Sequence, residues 1–472
     1  MEKLKLGFCP TRRFTFSKED ALRCKKEILQ AIGRYDIEIV DIDDINEEGL
    51  LYDSIADCEA VIRKMRSGEV DALFVPHCNF GTEDSVARVC RETGVPVLLW
   101  GPRDDDPLED GARLRDTQCG LLATGKVLRR FGVRFTYIPN STVDSPEFIR
   151  GFETFIRAAL AVKAFRRTRI LQISTRPAGF WTMICNEGEL LERFGIECFP
   201  ITLIDLQNKT LEIEASNSRE LEDAVADIHA KVDCGGWAEK NITRVAALKL
   251  AVYSYAAQAR CNAVAIQCWS ALQDSLGIMP CLANAILTDE GLPVTCETDI
   301  HGAVTAVMAH AAAMYKTPPF FADITVRQSD NENGELLFHC GNFPPSLMKD
   351  GKGKFNGHFL FDGHEPGTHE GEIRGGDISV IRFDGDNGEY SMFMGKAKGT
   401  AGKFTRGTYL WIEVNDWPLW EERLVCGPYV HHCVGIHDDV IPALYEACKY
   451  LGITPDLVDP DEEEVRAWMR GR

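Results

Sequence analysis

The 472-residue chain reads as α/β: two parallel-sheet α/β domains followed by a mainly antiparallel β domain. Three observations predict this. Short apolar strands alternate with helical stretches through the first two thirds, the mark of parallel sheets with crossover helices. From about residue 320 the chain turns to Gly, Asn, Asp and short alternating runs. The length, at roughly 150 residues per domain, suits about three domains. The expected boundaries are 1–165, 166–320 and 321–472.

The elements follow in order. LKLGFCP (4–10), IEIVDID (37–43), VDALFVPH (70–77) and VPVLLWG (95–101) are strands, with helical periodicity at 18–33 and 54–67. No GxGxxG follows any of them, so this is not read as a dinucleotide site. A second layer opens with RILQIST (169–175). A helix at 184–195, a strand at 196–205, helices at 217–231 and 240–260, and the strand NAVAIQC (262–268) follow. In the last third ELLFHCGN, HFLFDG, the long run from DISVIRF to MGKAKG, and GTYLWIEVND are strands. DNG at 386–388 is a strong hairpin signal. GKGKFNG (351–357) lacks a GK[ST] ending and reads as a hairpin loop, and DGDNGE fails calcium-loop spacing. A helix at 440–452 leads to an acidic tail.

Composition narrows the function. Lys and Arg number 52 against 72 Asp and Glu, a net charge of −20, which argues against a nucleic-acid partner. No apolar run reaches the roughly 18 residues of a membrane span, and no secretory signal is read at the start. The seventeen cysteines include no CxxC pair. Scattered thiols of this kind suit a reducing cytoplasm.

The densest polar group is CETDIHGA (296–303). If it is a strand, Glu297, Asp299 and His301 share one face, and two carboxylates with an imidazole can hold a divalent metal. The plainer reading is a solvated strand end. His339, in LLFHCGN, reads by itself as a satisfied core histidine. His431 and His432 are adjacent, so on a strand only one enters a given site. Trp417 and Trp420 are either a sugar-pocket wall or core aromatics. Arg103, Arg113 and Arg115 either fork onto an anion or pair with neighbouring aspartates. PTRRFTF, with Arg12 and Arg13, and STRPAGFW, with Arg176, place arginine just after a strand, where α/β sheets hold ligands.

Taken in order, FCPTRR, HCNFGTE, WGPRDDDPLEDGARLRDTQCG, NEGELLERFGIE, CETDIHGA, FHCGN and GPYVHHCVG resemble the L-fucose/L-arabinose isomerase superfamily of metal-dependent aldose–ketose isomerases. The resemblance implies two Rossmann-like α/β domains and a C-terminal β-barrel domain. It implies a divalent metal, Mn²⁺, held by Asp299, Glu297, His432 and His339, with Glu297 and Asp299 doing the proton work on an open-chain sugar through a cis-enediol. It implies a substrate contact from Arg12 or Arg13, and the residues themselves add Arg103, Arg176, Gln267, Trp417, Trp420 and His431 as expected substrate contacts. It also implies a cytoplasmic homo-oligomer, trimer or hexamer, with sites near subunit boundaries, where Arg12 or Arg13 of a neighbour reaches the sugar. One departure stands out: the family's further metal-binding glutamate has no counterpart, since 267–287 holds no Glu, only Gln267, Gln273, Asp274 and Asn284. The sugar is neutral, or it is anionic (sulfonated, as for sulfoquinovose isomerases, or phosphorylated) and clamped by arginines. The competing class is a non-catalytic sugar-binding or regulatory protein.

Overall fold

A computed structural model of the chain describes residues 3–52, 54–360, 364–458 and 460. It forms two compact units, Met1–Lys163 and Ala164–Arg472. No helix among the described residues is long and apolar enough to cross a membrane. All seventeen cysteines are free thiols.

The first unit is a five-stranded parallel sheet. Its strands are β1 (Leu4–Phe8), β2 (Ile37–Val40), β3 (Ala72–Pro76), β4 (Val97–Trp100) and β5 (Thr136–Tyr137), in the order β2-β1-β3-β4-β5. β3 and β4 are buried at every position, which is why ALFVP and VLLW are unbroken apolar runs. Helices Lys18–Ile32 and Ile55–Ser67 start where Ser17 and Ser54 accept a backbone N–H three residues on.

The second unit begins with β6 (Arg169–Ile173), β7 (Glu197–Ile201), β8 (Val232–Asp233), β9 (Ala263–Ile266) and β10 (Val294–Thr295). β10-β9-β6-β7 is a parallel sheet. The helix Glu239–Gln258 buries Val245, Leu248 and Val252 in one core with Leu171 and Val264 of that sheet.

The remaining strands are β11 (Phe320–Arg327), β12 (Gly334–His339), β13 (Gly353–Gly357), β14 (Pro366–Glu372), β15 (Gly376–Asp386), β16 (Glu389–Thr400), β17 (Thr408–Glu413), β18 (His432–Ile436) and β19 (Thr454–Leu457). The ring β16-β15-β18-β11-β12-β17 closes through a β16–β17 pairing, and every step is antiparallel. This is the expected barrel, and closure removes its edges. The β15–β16 hairpin turns at Asn387 and Gly388, whose φ of 50° and 79° suit a primed turn.

Several local expectations are corrected. CETDIHGA is not a strand: β10 ends at Thr295, a left-handed turn follows, and a helix starts at Ile300. The alternating polar residues there span a left-handed turn and a helix cap, not a strand period. GKGKFNG is largely a strand, β13, because it pairs with β14 along its length. In HFLFDG, 358–360 is turn, and 361–363 lies outside the described residues. The helix expected at 184–195 is present and ends at Gly195, but it is shorter, Glu187–Phe194, and Leu190–Phe194 is π-helical.

Candidate metal centre

The centre is built on the turn after β10. Glu297 and Thr298 hold φ of 59° and 56°, a conformation costing non-glycine residues of order 1–3 kcal/mol each. The turn is over-determined. Thr298 N–H donates to Ile266 O (3.1 Å), Asp299 N–H donates to Cys296 O (3.1 Å), and Thr295 Oγ1 donates to Asp299 O (2.9 Å). Its effect is to aim Glu297 inward just before a helix begins.

Asp299 caps that helix, Ile300–Ala312, and both its oxygens are engaged. Oδ1 accepts Gly302 N–H (2.8 Å) and Arg382 Nη2 (3.1 Å). Oδ2 accepts Arg382 Nη1 and faces His432 Nδ1 at 2.9 Å. Gly302 permits the approach, since a Cβ there would lie 2.6 Å from Asp299 Oδ2. Arg382, fully buried on β15, also donates Nε to Asp384 Oδ2 (2.8 Å), and Asp384 Oδ1 faces His301 Nδ1 at 2.9 Å. A continuous chain of polar contacts runs from His301 through Asp384, Arg382 and Asp299 to His432. Burial raises the Asp299 carboxyl, but Arg382 and His432 outweigh it and hold it well below the carboxylate range.

His432 opens β18 and is fully buried. Its Nε2 lies 3.1 Å from Glu297 Oε2 and 3.3 Å from Asp323 Oδ1 of β11. All three atoms are buried, and none is aligned well enough to hydrogen-bond. Buried polar atoms left without partners call for an explanation. Burial lowers the His432 imidazole, yet the bond to Asp299 and the nearby carboxylates of Glu297 and Asp323 push it up to about 9. Burial raises Glu297, while His432 pulls it below the usual range. Ligand atoms of Glu297, His431 and His432 lie within 4.8 Å of one another, a possible metal site among the described residues. Nitrogen and carboxylate donors with no thiolate among them suit a hard or borderline divalent ion.

The expected residues fall into distinct groups. Glu297, His432 and His431 meet. His431 joins them because it precedes β18 rather than lying on it, so the opposite-face argument does not apply; the two imidazole rings are 4.3 Å apart. His339 ends β12 outside that trio. Its Nδ1 accepts Cys340 N–H (2.8 Å), and Phe321 packs on both His339 and His432 with ring centroids 5.5 and 4.7 Å away. Beneath it, Cys296 Sγ accepts from Asn342 and Asn284 amides at 3.5 and 3.7 Å.

Gln267 follows β9 and accepts Ser174 Oγ at 2.8 Å. Arg176 follows β6 and is half-buried. Trp417 and Trp420 are core aromatics and not a pocket wall. They share the inner face of the helix Trp417–Cys426 and pack in the barrel core, Trp420 against Phe393 at 5.2 Å. Arg12, Arg13 and Arg103 belong to the first unit. Arg12 forks onto Glu48, Arg13 donates to Gly81 O (3.0 Å) beneath a 4.1 Å stack on Phe80, and Arg103 is exposed. Arg113 and Arg115 take the structural option, pairing with Asp116 and Asp105.

Asp323, Arg382 and Asp384 escaped the sequence reading. Their signal was a charge inside an apolar strand, in FFADI and SVIRFDG. Such charges survive burial only when paired or ligating.

The family profile for the N-terminal domain of fucose/sulfoquinovose isomerase matches residues 7–166. A sulfoquinovose isomerase of Priestia aryabhattai is 22% identical over 409 residues, covering 85% of this chain and 88% of that one. That of Alkalicoccus urumqiensis is 24% identical over 410 residues, 84% and 88% of the two chains. That of Clostridium sp. (strain MSTE9) is 24% identical over 279 residues, 59% and 61%.

Proposed function

We propose that the chain is an aldose–ketose isomerase of the L-fucose/L-arabinose isomerase superfamily and that its substrate is a sulfonated hexose handled in open-chain form. The observation that carries the site is the set of unpartnered buried atoms, Glu297 Oε2, Asp323 Oδ1 and His432 Nε2. Glu297, His432 and His431 would hold one divalent cation, Mn²⁺ in our reading. A cation held by these residues would supply Lewis-acid chemistry to the open-chain sugar.

The protein's own groups divide the remaining work. His432 presents Nε2 because Asp299 holds Nδ1, and a fixed tautomer is what a ligating imidazole requires. With both oxygens engaged, Asp299 is a positioning residue rather than the base expected from the sequence. Asp323 Oδ1 is the free carboxylate oxygen left beside the ligands. We assign it the proton: it takes the proton from C2, the electron pair forms the cis-enediol, and the same proton returns at C1. The hydroxyl proton passes from O2 to O1 to complete the ketose.

The finer domain division at 320, a homo-oligomer with sites near subunit boundaries, and a cytoplasmic setting are further parts of this proposal. The free thiols support the last. The test is a panel of sulfonated, phosphorylated and neutral aldoses, assayed by NMR after chelation and again with Mn²⁺. Metal-restored conversion of sulfoquinovose to its ketose is expected. Turnover of neutral sugars alone overturns the substrate, and no turnover of any sugar overturns the proposal.

A further inference from the structure

The parallel sheet of the second unit has a topological switch point. From β6 the chain goes to β7 on one side, and from β9 it goes to β10 on the other. In open α/β sheets a ligand sits in the crevice outside the carboxyl ends at that point. By that rule the ligand position falls between the segments after β6 and after β9. Ser174, with φ of 64°, and Gln267 join these segments by a 2.8 Å hydrogen bond. Glu297 follows the neighbouring strand β10, tied to β9 through Thr298. The candidate metal centre and the switch point therefore share one sheet edge.

Along that edge the segments 174–186, 267–280 and 296–299 contain a single cation, Arg176. Its guanidinium makes no ion pair among the described residues; Nη1 has only long contacts, 3.4 Å to Pro177 O and 3.4 Å to Ala178 O. This is not for want of acids in a chain of net charge −20. Arg169, seven positions earlier, pairs with Glu197 at 3.2 Å, and Arg244 pairs with Glu214 at 2.9 Å. An unpaired, half-buried guanidinium at a ligand crevice is a waiting counter-charge, and its planar fork suits an oxyanion. β6 and β10 are two strand spacings apart, about 10 Å. That is the scale of an open six-carbon chain with C1 and C2 at Glu297 and its far end at Arg176.

Resting on the isomerase reading above, we propose that Arg176 is the residue that selects the anionic group at C6, a sulfonate, and so sets substrate specificity. A neutral sugar offers nothing to this arginine. The test compares sulfoquinovose with quinovose, the same sugar without the sulfonate, in the Mn²⁺-loaded wild type, Arg176→Gln and Arg176→Lys. Loss of one charged hydrogen bond should lower kcat/KM for sulfoquinovose about 10–100-fold in Arg176→Gln, chiefly through KM. The loss on quinovose should be far smaller, and Arg176→Lys should recover part of the sulfoquinovose activity. Equal losses on both sugars, or none on either, would overturn the inference. Glucose 6-phosphate is the third arm; preference for it over the sulfonate overturns the choice of sulfonate. A wild type that converts none of the three removes the isomerase reading itself, an outcome visible before any variant is assayed.

Discussion

At the scale of single residues, the main finding is a division of labour between two carboxylates two positions apart. Glu297 keeps an oxygen free, and Asp299 keeps none. The sequence reading gave both the same work, because residue types cannot show which carboxylate an arginine 83 positions away has already claimed. Asp299→Asn breaks a buried ion pair and frees His432 Nδ1. The expected cost is about 3–5 kcal/mol of stability from the stranded charge and about 10–100-fold in metal affinity. Denaturant melts and a metal titration of the variant check both, and an unchanged metal affinity would remove Asp299 from its positioning role. Asp323→Asn should leave metal binding largely intact while kcat falls at least about 10²-fold. If kcat survives, Asp323 is not the proton carrier.

At the scale of elements, the barrel strands show what alternation can and cannot reveal. ELLFH and SVIRFD were legible as strands, and the Asn387–Gly388 turn was legible as a hairpin. The turn at 296–299 was not, since two non-glycine residues at positive φ leave no mark in the sequence. Glu335 in β12 is a separate case of an ionisable group inside the barrel wall. Burial pushes its carboxyl up to about 7, against an ordinary value of 4.5. The folded state thus favours the protonated form. Its contribution is intact below pH 4.5 and is lost as pH rises through about 7. Glu335→Gln should therefore match the wild type near pH 4 and exceed it at pH 8, on the order of 2–3 kcal/mol. Equal stability at both pH values would contradict this. Gly302→Ala tests the helix start: a Cβ would meet Asp299 Oδ2 at 2.6 Å and Phe321 at 2.7 Å, so about 1–3 kcal/mol should be lost despite alanine's better helix propensity.

At the scale of the whole molecule, alternating periods announced the order of layers, and the run of segments from FCPTRR to GPYVHHCVG carried the resemblance to the superfamily. Barrel closure is a long-range pairing of β16 with β17, and no local window contains it. The same is true of the centre, which draws Glu297 from the turn after β10, Asp323 from β11, Arg382 from β15 and His432 from β18. Its parts lie up to 135 positions apart, and only the barrel's docking against the parallel sheet within this unit brings them to one point. Asp323 is a second carboxylate that faces the His432 imidazole, from the barrel side, at 3.3 Å.

The central claim is that Glu297 and His432 hold a divalent cation. Titration of the chelated protein with Mn²⁺, following the free ion by electron paramagnetic resonance, tests it most directly. One ion per chain is expected for the wild type. Glu297→Gln and His432→Gln, each checked for folding by circular dichroism, should bind at least about 10–100-fold more weakly. Undiminished Mn²⁺ binding in both folded variants would contradict the account.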